Sequence, residues 1–228
     1  MGLKMLIRIF VLLFLMSCSL SKHPSSHHGH EANKHMLRHS HQHLIAEFDD
    51  PKRDEWQKPE KIIQLLGDLK NKHIVDLGSG SGYFTSQFLK QGSLVTAADV
   101  DEKFLEHIQK RFPAKNHPQL KTHLMKPHDP VLKENFYEII FSCNTYHHID
   151  QRADYFKKVL RALKKGGHLM IVDFAPVEGS QKSFGPPAHL RLPAEFVLEE
   201  LREAGFTNIL VRKDVLEHQY IITGSKTF

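Results

Sequence analysis

Three short stretches of this sequence carry residues whose chemistry can be stated at once. "VDLGSGSGYF" (75–84) runs from Asp76 into glycines at 78, 80 and 82, with Ser79 between the first two and Tyr83 behind the third. Glycines crowded at the end of an apolar run let backbone pass close to a ligand, and a helix opening there offers its amides to an anion. The spacing is wrong for a dinucleotide fingerprint, whose third glycine comes one residue later. It also lacks the Gly-Lys-Ser/Thr of a P-loop. "TAADVD" (96–101) puts Asp99 where a strand should end, and Asp101 where a helix N-cap should stand. "SCNTYHHID" (142–150) holds Asn144, Tyr146, His147 and His148. An imidazole with an ordinary pKa of about 6.5 suits proton removal from a reacting group, although a pair of histidines opening a helix also packs without chemistry.

These stretches need elements to position them. From about Leu44 the composition is that of a packed domain, and strand and helix patterns alternate. A helical pattern over 58–69 precedes a strand at 73–77, a helix at 82–90 and a strand at 93–100. A helix at 101–112, strands near 119–125 and 136–143, and a helix over 151–164 ending at "KKGG" follow. A strand at 168–174, a Pro/Gly-rich loop at 175–193, a helix at 194–204 and strands near 207–212 and 217–223 complete the chain. Such alternation predicts an α/β fold with crossover connections and a mostly parallel sheet, and the short link between the last two strands makes one of them antiparallel. Ligands on such sheets bind beyond the carboxyl ends of the strands, where the glycine loop lies.

"VDLGSGSGYF" resembles motif I of the class I S-adenosylmethionine-dependent methyltransferases, acid-x-G-x-G-x-G. "LKKGGHLMIVDF" (163–174) and "LEELREAGF" (198–206) resemble later motifs of the same family, in the order it requires, so that the resemblance covers about 56–224. It implies a Rossmann-like three-layer sandwich with a seven-stranded sheet. The implied cofactor is S-adenosyl-L-methionine, contacted by Asp76, Gly78, Ser79, Gly80, Gly82 and Tyr83 around its methionine and ribose. Asp99 would take the ribose hydroxyls, Val100 the adenine face, and Asn144 the methionine end. Asp129 in "KPHDP" (126–130) would take the adenine amino group, with His128 as the alternative in the same loop. His147 and His148 are the candidate catalytic bases, and Trp56, Tyr146, His189 and Arg191 the candidate acceptor contacts. Within the family the chain is similar to the small-molecule group that includes ubiquinone-pathway and arsenite methyltransferases. An arsenite acceptor would require several cysteines, and this chain has two. No metal cofactor and no nucleic-acid partner is expected.

The remaining sequence bears on location. Residues 1–17 read as a signal peptide: Lys4 and Arg8, then an apolar run from Ile9 to Met16, too short to span a bilayer. "LMSC" resembles a bacterial lipobox, implying cleavage before Cys18, its lipidation, and anchoring on the periplasmic side, with Ser19 leaning toward the outer membrane. Without Lys4 and Arg8, 29 basic side chains face 26 acidic ones, and no block of like charge resembles a nucleic-acid arm. Residues 18–43 hold eight of the eighteen histidines between His23 and His43 and almost nothing apolar. They are expected to form a flexible linker reaching roughly 30 Å, able at most to bind metal weakly. The domain proper is expected over 44–228. Cys143, ending an apolar run, is expected as a free core thiol. S-adenosylmethionine is made in the cytoplasm, so two alternatives stay open: a non-catalytic binding module on the same fold, and a leader that is not used.

Overall fold

A computed structural model describes residues 28–176 and 185–228. The expected signal peptide and lipidated Cys18, the first part of the linker, and residues 177–184 of the Pro/Gly-rich loop lie outside the described residues. Seven strands, β1 (His73–Leu77), β2 (Leu94–Asp99), β3 (Leu120–Leu124), β4 (Tyr137–Cys143), β5 (Leu163–Phe174), β6 (Thr207–Arg212) and β7 (Gln219–Ser225), form one sheet in the order β3-β2-β1-β4-β5-β7-β6. Every pairing is parallel except those of β7, which runs antiparallel to both β5 and β6. The chain leaves β1 toward β2 on one side and returns to β4 on the other, so the crevice between them opens at the carboxyl end of β1.

Helices α1 (His28–Met36), α2 (His41–Phe48), α3 (Arg53–Gln57) and α4 (Pro59–Leu66) precede the sheet; α5 (Tyr83–Lys90), α6 (Glu102–Arg111), α7 (Arg152–Ala162) and α8 (Ala194–Glu203) connect its strands. The central strands are apolar almost throughout because both faces are covered. Successive residues feed opposite layers. Ile74, Ile139, Met170 and Ile221 meet Ile62 of α4 and Phe84 and Phe88 of α5. Val75, Ile140, Ile171 and Ile222 meet Phe156 of α7 and Val197 and Leu201 of α8.

Two expectations need correction. The helix over 151–164 stops at Ala162, and "KKGG" is no cap but the irregular start of β5. Leu163, fully buried, already pairs with Tyr137, and the register shifts before Ile139. The second correction concerns residues 28–43 of the presumed linker, which form α1 and the start of α2. Their docking relies on small residues and hydrogen bonds, not on apolar area: Ala32 is 1% exposed, Asn33 Nδ2 donates to the His148 carbonyl at 3.0 Å, and Gly29 N donates to Asp150 Oδ1 at 3.0 Å.

Beneath the glycine loop, Phe141 is fully buried with its ring centroid 4.5 Å from that of Phe84 and 5.2 Å from that of Phe88. Phe141→Ala would leave a cavity there and is expected to lower unfolding free energy by about 3–5 kcal/mol, read as a lower denaturant midpoint at unchanged slope.

Candidate active site

β1 hands the chain to the glycine loop, which hydrogen bonds hold to β2. The amides of Gly78 and Ser79 both donate to the Ala98 carbonyl, at 2.8 and 3.0 Å, and the Gly80 amide donates to Asp99 Oδ2 at 2.9 Å. Gly78 has φ +75°, and a Cβ on it would lie 2.2 Å from Thr145 Oγ1, so neither its conformation nor its space admits a side chain. Asp99 Oδ1 accepts from the Asp101 amide at 3.0 Å. A carboxylate accepts at about four positions, so acceptor capacity remains toward the crevice. Asp101 caps α6 through the Lys103 amide, as the sequence suggested, and its Oδ2 meets His41 Nε2 of α2 at 2.5 Å. Asp76, 3% exposed, accepts from Thr85 Oγ1 at 2.6 Å. Burial pushes the carboxyls of Asp76 and Asp99 each up to about 6.

Above this floor lies a cavity of about 1230 Å³, roofed by α1, α2 and α3. A pocket for one drug-sized ligand is roughly 300–1,000 Å³, so there is room for two. Arg53, Asp76, Asp99 and Asn144 contribute polar lining, and Met36, Leu44, Trp56 and Phe174 apolar lining. Arg53 is the feature that the sequence gave no sign of. The residue is 9% exposed, and its guanidinium sits 4.0 Å from the centroid of the Tyr83 ring, whose hydroxyl donates to Asp54. Nη1 donates to the Phe48 carbonyl at 2.8 Å and Nη2 to Gln57 Oε1 at 3.3 Å, while Nε is buried with no hydrogen-bond partner among the described residues. A buried cationic donor left unsatisfied is costly, and an anionic ligand group would remove the cost.

On the other side of the crevice His147, 3% exposed, places Nδ1 2.8 Å from Asp173 Oδ1 and its amide 3.2 Å from Oδ2. An ionised Asp173 can only accept, so Nδ1 bears the hydrogen and a neutral ring keeps Nε2 as an acceptor. Asn144 takes φ +56°, and its Oδ1 accepts from Gln219 Nε2 at 2.5 Å. Cys143 is a free buried thiol beside Arg53 and Gln57, pushed up to about 12 by burial, which removes it as a nucleophile at neutral pH.

The structure brings most of the expected residues to this cavity: Asp76, Gly78, Ser79, Gly80, Tyr83, Asp99, Val100, Asn144, His147, His148 and Trp56 line it. Gly82 stands just behind, at φ +85°, opening α5. Four residues do not reach it. Asp129 turns to Lys158 Nζ (3.0 Å) and the Val131 amide (2.8 Å), and His128 lines the cavity in its place. Tyr146 is fully buried and donates to Glu200 Oε2 at 2.6 Å within a bidentate Arg152–Glu200 pair, a core contact and not an acceptor contact. Arg191 is buried and spends its donors on the carbonyls of Pro186 and Ala175, holding the ends of the loop. His189 is exposed and does not line the cavity. Asp173 and Arg53 are the functional candidates that sequence reasoning missed.

This architecture has known counterparts. Residues 75–171 match the methyltransferase domain family. A structure of an S-adenosylmethionine-dependent methyltransferase from Aquifex aeolicus superposes with TM-score 0.70 at 23% identity, over 79% of this chain and 95% of that one. The fold is the Rossmann-like methyltransferase fold. Phosphoethanolamine N-methyltransferase 2 of Haemonchus contortus, in complex with S-adenosyl-L-methionine, superposes with TM-score 0.63 at 16% identity, over 76% of this chain and 53% of that one. Among curated relatives, the tRNA U34 carboxymethyltransferase of Pseudoalteromonas atlantica is 29% identical over 140 residues, 60% of this chain and 42% of that protein. The chain spans only 22% to 54% of the length of the first such relatives.

Burial of Asp76 has a stability consequence of definite sign. Its folded pKa lies above the unfolded 3.8, so burial costs nothing below about pH 4, where the carboxyl is protonated in both states. The cost accumulates as pH rises from about 4 to about 6 and is complete above the folded value. Asp76→Asn is therefore expected to match the parent in stability at pH 4 and exceed it by about 2–3 kcal/mol at pH 8, measured by denaturant titration at both values.

Proposed function

We propose that this protein transfers a methyl group from S-adenosylmethionine to a small-molecule acceptor. The observation that carries this reading is the presence of Arg53 and Asp76 together in the lining of the cavity. Both are buried, Arg53 Nε has no hydrogen-bond partner among the described residues, and their charge signs match the carboxylate and ammonium of an amino-acid moiety. A dinucleotide offers no such zwitterion. Asp99 retains acceptor capacity for the ribose hydroxyls, Val100 offers an apolar surface for the adenine, and Asn144 borders the methionine end. When bound, S-adenosylmethionine supplies an electrophilic methyl group on a sulfonium.

The chain's own part is then alignment and proton removal. Phe48 of α2 packs toward Gly80, where a Cβ would come within 3.2 Å of its ring, and so covers the glycine loop from water. Trp56 and Phe174, with ring centroids 5.9 Å apart, form an apolar wall for the acceptor. His147, oriented by Asp173, accepts the proton from the acceptor's attacking O–H or N–H, and Asp173 stabilises the imidazolium that results. The size of the cavity supports a small molecule as acceptor.

The reading extends to location: the order of Lys4, Arg8, the run Ile9–Met16 and "LMSC" supports export with a lipid on Cys18. Metabolic labelling with a fatty acid is expected to mark the parent and not Cys18→Ser, with the variant released from the membrane fraction. Equal anchoring of the unlabelled variant would refute the tether.

The cofactor reading is tested by calorimetric titration of S-adenosylmethionine into the parent and Asp99→Ala. Micromolar binding is expected for the parent and at least tenfold weaker binding for the variant. Because the ammonium requires ionised Asp76, affinity should be level above about pH 7 and decline below about pH 6. A folded parent that binds neither S-adenosylmethionine nor S-adenosylhomocysteine would favour a non-catalytic binding module instead.

A further inference from the structure

A guanidinium and three side-chain amides form a file beside the cavity. Its middle members are Gln57 of α3, fully buried, and Gln219, the first residue of β7, which is 3% exposed. Arg53 Nη2 lies 3.3 Å from Gln57 Oε1, and the Cys143 thiol meets the same oxygen at 3.5 Å. Gln57 Nε2 lies 2.7 Å from Gln219 Oε1, and Gln219 Nε2 lies 2.5 Å from Asn144 Oδ1. Burying such a file is costly unless each member is satisfied, which gives every amide a defined way to face.

The cation at one end sets the order. A guanidinium can only donate, so Gln57 must turn its oxygen to Arg53 and its NH₂ to Gln219. Gln219 must then offer its oxygen to Gln57 and its NH₂ to Asn144. The Asn144 oxygen is thereby engaged, and the Asn144 backbone is fixed by its amide donating to the Val172 carbonyl at 2.9 Å. Asn144 Nδ2 has no hydrogen-bond partner among the described residues and is left to the cavity that Asn144 lines. The site presents a donor here and not an acceptor.

The place of Asn144 indicates what that donor meets. It directly follows β4, and the hydroxyl of the next residue, Thr145, lies 3.4 Å from the Gly78 carbonyl of the glycine loop. With Arg53 on the cofactor's carboxylate, the Asn144 NH₂ remains for the acceptor's attacking atom. An oxygen nucleophile has one lone pair for the methyl group and another for the amide. A neutral amine has a single lone pair, and a hydrogen bond from the amide would take it out of the reaction.

We propose that Gln57 and Gln219 are positioning residues that hold Asn144 with its NH₂ toward the acceptor, and that this arrangement selects an oxygen nucleophile over an amine. The acceptor class is thereby narrowed to alcohols, phenols and carboxylic acids. This selectivity rests on the methyltransferase reading; the orientation of the amides does not.

Neutron diffraction from crystals of the deuterated full chain tests the orientation, because it separates an ND₂ group from an oxygen. The parent is expected to show the Asn144 ND₂ turned to the cavity. In Gln219→Glu the new carboxylate can only accept, so Asn144 is expected to turn over and put its oxygen there. An oxygen toward the cavity in the parent, or an unturned amide in Gln219→Glu, would overturn the positioning role. Selectivity is read from methyl transfer from tritiated S-adenosylmethionine to phenol and benzyl alcohol, against aniline and benzylamine. The parent is expected to favour the oxygen compounds by about tenfold or more in kcat/KM. Gln219→Met, which releases Asn144 without adding charge, should remove most of that preference, whereas a merely structural Gln219 would lower stability and leave the ratio unchanged. Label on the amines in the parent, or on none of the four compounds, would overturn the acceptor class. So would a Gln219→Met chain that loses affinity for S-adenosylhomocysteine but not for 5′-methylthioadenosine, since the donor would then serve the cofactor's carboxylate. Absence of S-adenosylhomocysteine binding by the parent would instead remove the inference about the acceptor and leave the orientation result standing.

Discussion

The bond from the Gly80 amide to the Asp99 carboxylate is the constraint on which the site depends. It ties the loop after β1 to the end of β2 and aims a buried carboxylate into the crevice between β1, β2 and β4. The glycines are needed because the loop folds back over β2 with positive φ at 78, 80 and 82 and is backed by Thr145 at Gly78 and by Ile108 at Gly82. The sheet order creates the crevice, the loop narrows it, and burial pushes the carboxyls of Asp76 and Asp99 above the usual carboxylate range. Stability is given up locally for binding, as is common where a site must hold charge.

The segment before the sheet completes the chamber. α2 is fixed over the loop by polar contacts around its ends: His41 to Asp101, and Asp49 to Ser81 and Arg111. α3 delivers Arg53 to the side of Asp76, and α1 seats against the His147–His148 turn. Each of these helices makes hydrogen bonds where it meets the site. Site and roof therefore order one another, and a variant that loosens α1 or α2 should be felt in the chemistry before it is felt in the fold.

Much of the fold was legible in the sequence because its signals are local. A strand buried on both faces reads as a run of apolar residues, and a turn that needs positive φ reads as glycine, so β1, the loop, β2 and Asp99 could be placed from spacing. What was misread depends on distant partners. Asp173 lies 26 residues from His147 and looks like the polar end of a strand. Arg53 sits in a charged stretch where another arginine draws no attention. Asp129 and His128 are neighbours in one tight turn, and only the Lys126–Asp129 bridge decides which of them faces the cavity. Arg191 looked like an acceptor contact but donates to the carbonyls of Pro186 and Ala175. Residues 28–36 lack the apolar periodicity on which a helix is usually recognised, because Gly29, Ala32 and Asn33 dock by close approach and hydrogen bonds.

The claim on which the account turns is that Arg53 and Asp76 hold the amino-acid end of the cofactor. It is tested most directly by calorimetric titration of S-adenosylhomocysteine and of 5′-methylthioadenosine, which lacks the amino-acid group, into the parent and Arg53→Met. The account predicts that the substitution weakens S-adenosylhomocysteine at least tenfold and leaves methylthioadenosine within about twofold. Equal weakening of both ligands, or of neither, would contradict it.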